Sequence, residues 1–546
     1  MYRHNQRQLQ FEKFSLPFGG KLRSDNRWVK LAKFIPWEEF EPDYAKTLVS
    51  RDKGPPAMSV RVALGTLIIK ERLGISDEET VEQISENPYL QYFLGFESFK
   101  LERPFDPSML VHFRKRLSMD LVCKINERIN QKAFDDTKVQ SAPSDDDDDK
   151  PNAGSSDNKS ENRGKLIVDA TCTPADISFP TDLKLLNTAR EKSEEIIDAL
   201  HQPHKGKMKK PRTYRIKARR DFLAVAKSKK VSKNKLRKAI RKQLGYLRRN
   251  LKTIAKLSEK SSLLLLSKRQ YRNLLVIHEV YRQQRWMYDN NQNRIDDRIV
   301  SISQPHVRPI KRGKAKASTE FGAKISASLV DGYTFLDHLD WDNFNESLDL
   351  KPQVKAYHKR FGCYPESVHA DKIYRTRDNI EYCKSKHIRL SGPALGRPPK
   401  EKELQKEIRK QTRQDELDRI PIEGKFGQAK RRFSLSKIMC KLAETSASAI
   451  AIAFLVLNLE KWLSAVLFYL ISLLVIGSMG HLKAAGAKIG YFFLHLCIVE
   501  MTVAMKNSAA LPGQTRALRL FRKPYVENAL RKNDRPHHLG VGTFGN

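Results

Sequence analysis

The sequence predicts a chain with an α/β core, an all-helical N-terminal region and a long helical insertion. Three observations lead to that prediction. A short apolar run at residues 166–168 leads directly into Asp169, which is typical of a strand buried on both faces that ends at the acid. Two β-prone runs flank Asp331 and Gly332, a common hairpin turn. Elsewhere, apolar residues recur at spacings of three and four, the period of an amphipathic helix.

The net charge of the chain limits the classes of partner that it is expected to bind. The 546 residues carry a formal net charge of +38 at pH 7, and a chain of this length usually forms several domains. So many positive charges repel one another unless a polyanion neutralises them. Nucleic acid is therefore the first candidate partner and an anionic membrane surface the second. The six cysteines are scattered without CxxC spacing, which favours a reducing compartment, and the N-terminus has no apolar segment typical of a secretory signal.

Residues 1–140 are predicted to form a helical, DNA-binding domain. A periodic apolar stretch ends at Gly74, and Ser76 followed three residues later by Glu79 is typical of a helix start. A further predicted helix, at residues 108–118, is strongly basic. Short helices with a basic last member favour a helix-turn-helix module, although a helical bundle with a solvated basic face explains the same pattern equally well.

One segment connects this region to the predicted core, and a second segment interrupts the core. Residues 141–164 contain five successive aspartates and no large apolar side chain, so we predict an acidic disordered linker. Residues 184–317 are predicted to be a basic helical insertion. Between Pro203 and Thr253 there are 21 lysines and arginines against a single acid, Asp221.

The basic insertion is predicted to contact DNA. Its cations alternate with apolar residues, so its helices can pack on one face and present positive charge on the other. Such density favours contact with DNA phosphates over a merely solvated face. The cations that we expect to bind DNA are Arg219, Arg220, Lys238 and Arg241.

Three acids stand out as candidate catalytic residues. Asp169 follows the apolar run, and Asp371 follows a second strand-like piece. Glu423 lies in a strongly charged helical stretch, with Arg419 four residues before it and Lys430 seven residues after it. A single aspartate at the end of a strand is usually structural, so the interpretation depends on the three acids together.

The pattern around these acids resembles a known family. The blocks that carry the resemblance are VDATCTPADISFPTDLKLLN, EFGAKISASLVDGY, HADKIYRTRDN and IEGKFGQAKRRFSL, in this order. They resemble the DDE transposases of bacterial insertion sequences that have an InsH-type N-terminal domain and an RNase H-like catalytic core. The resemblance covers residues 1–465. One departure is Glu416, where the family signature has a tyrosine.

The resemblance implies a fold and a reaction. Residues 165–183 and 318–465 would form an RNase H-like mixed sheet with flanking helices. The enzyme would bind the terminal inverted repeats of its element and catalyse metal-dependent DNA cleavage and strand transfer. It would act as a homodimer on double-stranded DNA in the bacterial cytoplasm.

The resemblance also implies a role for each acid. Asp169 would contact two Mg²⁺ or Mn²⁺ ions, Asp371 one of them and Glu423 the other, because hard divalent cations prefer carboxylate oxygens. Nearby cations would hold DNA phosphates. These are Arg419, Lys425, Lys430, Arg431 and Arg432.

Two alternatives stay open: an RNase H-like nuclease or recombinase that does not transfer strands, and a catalytically inactive DNA-binding relative.

The C-terminal part, residues 466–546, is predicted to be an apolar helix followed by a basic tail. The 21 residues from Trp462 to Leu482 carry no formal charge, which is the length of a transmembrane span. Within the resemblance, a core helix or an oligomer contact is the preferred interpretation, so we do not expect a membrane partner.

Overall fold

The structure of the chain is a computed structural model. The chain forms two compact units, Met1–Ile471 and Ser472–Asn546. The described residues are 14–16, 20–48, 56–140, 162–311, 319–393, 396 and 401–484. Most of the predicted linker and nearly all of the predicted tail lie outside these residues, as do the side chains of residues 467–484.

The N-terminal region is helical, as predicted. The side chain of Ser59 accepts a hydrogen bond from the backbone N–H of Val62 and so caps one helix, which ends at Gly74 in the left-handed conformation. Ser76 caps the next helix by accepting from the N–H of Glu79. The helices are α1 (Arg27–Phe34), α2 (Trp37–Ala45), α3 (Val60–Leu73), α4 (Asp77–Glu86), α5 (Pro88–Phe93), α6 (Met109–Arg116) and α7 (Met119–Gln140).

A mixed sheet of six strands forms the centre of the core. The strands are β1 (Lys165–Pro174), β2 (Arg308–Lys311), β3 (Thr319–Val330), β4 (Tyr333–Asp340), β5 (Ser367–His369) and β6 (Arg389–Leu390). Their order is β2-β3-β1-β5-β6, and β4 also pairs with β3. β3 runs antiparallel to β1, β2 and β4, whereas β1, β5 and β6 are parallel. This mixed sheet with flanking helices agrees with the predicted RNase H-like fold.

The predicted hairpin joins β3 to β4. Asp331 and Gly332 have φ angles of 47° and 82°. Two successive positive φ angles suit a type I′ turn, whose twist matches that of the strands, so the Asp-Gly pair is the residue choice that this turn requires.

The prediction that β1 ends at Asp169 is wrong. β1 continues to Pro174 because β3 pairs with it from Ile167 onwards. The parallel neighbour β5, in contrast, pairs only with residues 165–167. Asp169 therefore lies within its strand but beyond the end of the neighbouring strand. The early part of β1 also alternates, with Leu166 and Val168 buried and the residues between them partly exposed, so only one face is fully covered.

The insertion between β1 and β2 consists mainly of helices with a hydrophobic core of their own. The helices are α8 (Asp182–His201), α9 (Arg215–Ala226), α10 (Lys233–Ser258) and α11 (Lys268–Asp289). Leu186, Ile197, Leu247 and Ile277 are among the buried residues of this core. The sequence predicts an amphipathic helix at residues 181–202 and a further helix at residues 271–290, and α8 and α11 confirm both predictions.

Four further helices complete the fold: α12 (Leu350–Phe361), α13 (Arg377–Ser385), α14 (Lys402–Arg432) and α15 (Ala443–Ala484). A buried polar network connects α7, β4 and α15. Asn126 donates to the carbonyl oxygen of Thr334 at 3.1 Å, and Asn458 donates to the side-chain oxygen of Asn126 at 2.8 Å. Asn458 also accepts from the Thr334 backbone N–H at 2.8 Å. The N-terminal helices therefore share one continuous core with the sheet.

α15 contains the uncharged stretch from Trp462 to Leu482 and the apolar stretch before it, which Asn458, Glu460 and Lys461 interrupt. The sequence predicts a separate helix for each stretch. α15 is a continuous helix of 42 residues. Among the described residues, one stretch, Ala443–Val466, is long and apolar enough to cross a membrane, and 56% of its most apolar window is buried within the protein. The core helix of a soluble protein meets the same length and composition criteria, and the bonded Asn458 lies within this stretch.

Candidate active site

Asp169 and Asp371 come from neighbouring parallel strands. Ile167 of β1 is paired with His369 of β5, and each acid follows its paired residue by two positions. This register brings the backbones of the two acids side by side at the end of β5. Asp371 also caps a short 3₁₀ helix by accepting a hydrogen bond from the Lys372 backbone N–H at 2.7 Å.

Asp169 lies in an electrostatically unfavourable position for a carboxylate. Its side chain is only 16% exposed, and its Oδ1 accepts one hydrogen bond, from the Ala170 N–H at 2.8 Å. Burial raises the pKa of Asp169 to about 6, and the negative charges of Glu346 and Glu423 contribute to the increase. A carboxyl group of this kind is stabilised in its charged form by a nearby cation.

Arg419 supplies positive charge at this point. Its Nη1 lies 3.8 Å from Oδ2 of Asp169, and its Nη2 lies 2.8 Å from Oε1 of Glu423, one turn later on α14. Glu423 is 53% exposed, so one side of its carboxylate faces solvent. The guanidinium group therefore connects the acid of β1 with the acid of α14.

Glu346 is an acid near the site that the sequence analysis missed. It raises the pKa of Asp169 and forms an ion pair with Lys324, whose Nζ lies 2.9 Å from its Oε1. Burial raises the pKa of Tyr374, and Glu346 and Asp169 raise it further, so the three side chains share one environment. Glu346 begins a short 3₁₀ helix after β4, and no spacing in the sequence connected it with Asp169.

The acids suit a hard divalent cation by their chemistry, since carboxylate oxygens are the ligands that Mg²⁺ and Mn²⁺ prefer. Within the part of the chain that the structure describes, no three His, Cys, Asp or Glu side chains lie close enough together to hold a metal ion. Arg419 carries the cationic charge between Asp169 and Glu423 instead. For the three acids to hold a metal ion together, Arg419 would have to move away and the three carboxylates would have to approach one another.

The basic residues of α14 face different directions. Lys430 faces the site, because its Nζ donates to Oγ1 of Thr171 at 2.8 Å, two residues from Asp169. Lys425 is on the other side of the helix, where burial and then the nearby Lys461 lower its pKa to about 8.

The two arginines at the end of α14 also differ. Arg432 lies 3.4 Å from Glu460 of α15, whereas Arg431 is exposed beside Gly427. Of the five predicted phosphate-binding cations of this helix, Arg419 and Lys430 are therefore the two whose contacts link them to β1.

A buried carboxylate fixes α14 to the strands that precede it. Asp415 accepts hydrogen bonds from Arg389 at 2.8 Å, from the Gly392 N–H at 3.1 Å and from Gln411 at 3.0 Å. Burial alone would raise the pKa of Asp415, but these hydrogen bonds together lower it. Buried His369 lies 3.8 Å from Asp415, which ties the helix of Glu423 to the strand that precedes Asp371.

The predicted DNA-binding cations of the insertion form an exposed basic surface on α9 and α10. Its members are Arg219, Arg220, Lys238 and Arg241, all of them exposed. Gln243 of α10 donates to the carbonyl oxygen of Ala218 at 3.0 Å and so holds the two helices together. The single acid of the segment, Asp221, accepts from Tyr246 at 2.9 Å and lies 3.5 Å from Lys242.

Comparison with known proteins gives two family matches. Residues 368–460, which include Asp371 and Glu423, match the family described as transposase DDE domain. Residues 17–116 match the family described as transposase domain (DUF772). Asp169 lies outside both ranges.

One curated relative is an uncharacterized protein, ORF8 in the nfe locus of Rhizobium meliloti. It is 32% identical over 157 residues, which are 29% of this chain and 66% of that protein. The chain thus spans just under two thirds of the length of this relative. No solved structure matches the chain.

Proposed function

We propose that this chain is a DDE transposase of an insertion sequence, because residues 17–116 and 368–460 match two transposase families. It would bind the terminal inverted repeats of its element and catalyse both strand cleavage and strand transfer at these ends. The observation that supports the proposal best is the arrangement around Arg419. This residue contacts Glu423 and approaches Asp169, while Asp371 follows the neighbouring strand in register with Asp169. These contacts support the proposal that the three acids, two at the sheet and one on α14, act in one site.

Asp169, Asp371 and Glu423 would hold the divalent metal that this family uses. A pair of Mg²⁺ or Mn²⁺ ions would activate the attacking oxygen and stabilise the leaving oxygen of the phosphodiester. Water would be the attacking group in cleavage, and the freed 3′-hydroxyl group would attack in strand transfer, so no covalent bond to the protein is needed.

The basic residues of the site would then bind the DNA backbone. Arg419, once released from Glu423, can pair with a phosphate through two parallel hydrogen bonds. Lys430 is held by Thr171 close to Asp169 and offers a second phosphate contact. Because each phosphate contact releases counterions, we expect binding to weaken steeply as the salt concentration rises.

The exposed cations of the insertion would bind the terminal repeats outside the site. Arg219, Arg220, Lys238 and Arg241 provide positive charge on two helices that are joined by the Gln243 hydrogen bond. Strand transfer joins two ends of an element, so we propose that two chains act together as a homodimer on DNA in the bacterial cytoplasm.

The experiment is a cleavage assay on linear DNA that carries the ends of the element, with Mg²⁺ or Mn²⁺. Asp169→Asn, Asp371→Asn and Glu423→Gln should each abolish cleavage and leave DNA binding intact. Asp378→Asn is the matched control, because Asp378 is an exposed acid paired with Lys351 at 2.6 Å. It should cleave normally.

Two results would replace the proposal with an alternative. Cleavage without any joined product would favour a nuclease or recombinase that does not transfer strands. Binding of the ends without cleavage in either metal would favour a catalytically inactive DNA-binding relative.

A further inference from the structure

One face of α11 carries large apolar side chains that are exposed to solvent. Tyr271 is 46% exposed, Leu275 56% and Trp286 44%. The opposite face of the same helix, including Ile277 and Val280, is fully buried in the core of the insertion. α11 therefore has a buried apolar face and, on its opposite side, large apolar side chains that are exposed to solvent. Exposed apolar side chains of this kind are typical of a protein–protein contact.

Two of these exposed apolar residues, Leu275 and Trp286, lie on one stripe of α11 together with charged residues. Starting from Lys268, successive steps of four and three residues define a single stripe along α11. Residues at these steps lie on one side of a helix, and in this stripe two of the six residues are apolar and four are charged. The members of the stripe are Lys268, Arg272, Leu275, Glu279, Arg282 and Trp286.

The stripe is complementary to itself in the antiparallel direction. When a second α11 lies antiparallel with its centre between residues 280 and 281, Leu275 meets the partner's Trp286 and Glu279 meets the partner's Arg282. One step further along, Arg272 meets the partner's Asp289. Each contact occurs twice, as two-fold symmetry requires. Apolar residues thus meet apolar residues, and opposite charges meet each other.

We propose that this face of α11 binds a second copy of the chain, with the two α11 helices antiparallel. The charge pattern favours this occupant over nucleic acid, because the acids Glu279 and Asp289 lie among the arginines and would repel phosphates. Trp286 and its apolar contact with the partner's Leu275 would lie on both sides of this charged centre, and tryptophan and arginine are residue types that often contribute most to binding. The contact would supply the dimer that the proposed function needs, and to that extent it rests on the proposed function.

The test is a measurement of molecular mass in solution, without DNA or metal, so that its failure is distinguishable from a failure of catalysis. In the monomer, Glu279 and Arg282 also pair with each other, with 2.6 Å between Oε1 and Nη2. We therefore use two single variants, Glu279→Arg and Arg282→Glu. Each places like charges opposite each other in a homodimer, so each should be monomeric where the unmodified chain is dimeric.

Mixing the two variants separates the intermolecular contact from the intramolecular one. In a mixed dimer, both central contacts pair an arginine with a glutamate, while the pair within each chain stays broken. The mixture should therefore recover the dimer mass. Arg269→Glu, an exposed position of α11 outside the stripe, makes the same charge change and should remain dimeric.

Several results would overturn the proposal. These are an unmodified chain that stays monomeric up to its solubility limit, single variants that stay dimeric, or a mixture that stays monomeric. A loss of DNA affinity in Arg282→Glu with no change in mass would assign the face to nucleic acid instead.

Discussion

The Nη2 atom of Arg419 lies 2.8 Å from Oε1 of Glu423, one turn further along α14. The same guanidinium group approaches Asp169, so it balances two carboxylates that would otherwise repel each other. In the proposed mechanism, metal ions take over this role and free Arg419 for the DNA. Arg419 and the metal would thus occupy the region between the acids in turn.

Arg419→Ala should make the protein more dependent on metal. Without metal, the loss of the partly exposed ion pair should cost about 1 kcal/mol of folding stability. Added Mg²⁺ should raise the melting temperature of the variant more than that of the unmodified chain, because it replaces the missing charge. Thermal unfolding with and without Mg²⁺ measures this difference. If Mg²⁺ raised the melting temperature of both proteins equally, the result would contradict the proposal that metal takes the place of Arg419.

Lys425→Met should stabilise the protein near neutral pH and leave its DNA affinity unchanged. Burial, followed by Lys461, lowers the pKa of Lys425 from 10.5 to about 8. The unfolded chain therefore binds more protons than the folded one between these values, so the stability of the unmodified chain should rise with pH across this window. The advantage of the methionine variant should be largest below pH 8 and should shrink towards pH 10.5.

Urea unfolding at several pH values measures the stability effect, and anisotropy of labelled end DNA measures affinity. Lys430→Met is the contrasting variant, since Lys430 contacts Thr171 near Asp169 and should lose cleavage activity. A Lys425→Met variant that binds DNA more weakly than the unmodified chain would show that Lys425 contacts phosphate after all.

Replacing the basic surface of the insertion should weaken DNA binding in a salt-dependent way. In a variant with glutamine at Arg219, Arg220, Lys238 and Arg241, each lost phosphate contact should reduce the slope of log affinity against log salt by about 0.9. The effect should be the same for every DNA sequence if these residues contact only the backbone.

A matched pair of variants controls for net charge. Arg219→Gln with Arg220→Gln removes two exposed cations from the insertion, and Lys355→Gln with Lys359→Gln removes two from the exposed side of α12. The first pair should change the salt slope more than the second. Equal slopes would mean that overall charge, rather than this surface, determines binding.

Asn458→Leu should destabilise the protein strongly. The substitution leaves the Thr334 N–H and the side-chain oxygen of Asn126 without a buried partner. Each unsatisfied group costs about 1–3 kcal/mol, so the free energy of unfolding should fall by about 2–6 kcal/mol in urea titrations. Ser464→Ala, an exposed position on the same helix, is the control and should change stability little. If Asn458→Leu lowered the free energy of unfolding no more than Ser464→Ala does, the result would contradict the role of this network.

Local sequence signals were sufficient for the elements that depend on neighbours in the chain. Asp331 and Gly332 predicted the hairpin because its turn needs two positive φ angles, and the amphipathic pattern of residues 181–202 predicted the buried face of α8. The ends of the strands were harder to predict from the sequence. β1 continues past Asp169 because β3 pairs with it, and β3 lies about 150 residues later, as the register of Ala170 with Ser326 shows.

The environment of the site depended on tertiary contacts that no local pattern contains. Glu346 comes close to Asp169 through the loop after β4, and the orientation of Lys425 depends on the packing of α14 near Lys461. The continuity of α15 was hidden by Glu460, whose charge suggested a break. In the structure Glu460 pairs with Arg72 at 2.6 Å, which allows the charge to lie within the helix.

The central claim is that Asp169, Asp371 and Glu423 bind metal together. Fe²⁺ can replace Mg²⁺ at such oxygen sites and, with peroxide and ascorbate, generates radicals that cut the backbone near the ion. In the presence of DNA that carries the ends of the element, we expect the backbone to be cut near all three acids. Excess Mg²⁺ should suppress these cuts, and Asp169→Asn should remove all of them together. Cuts near only one of the acids, or cuts that Mg²⁺ does not suppress, would contradict the claim.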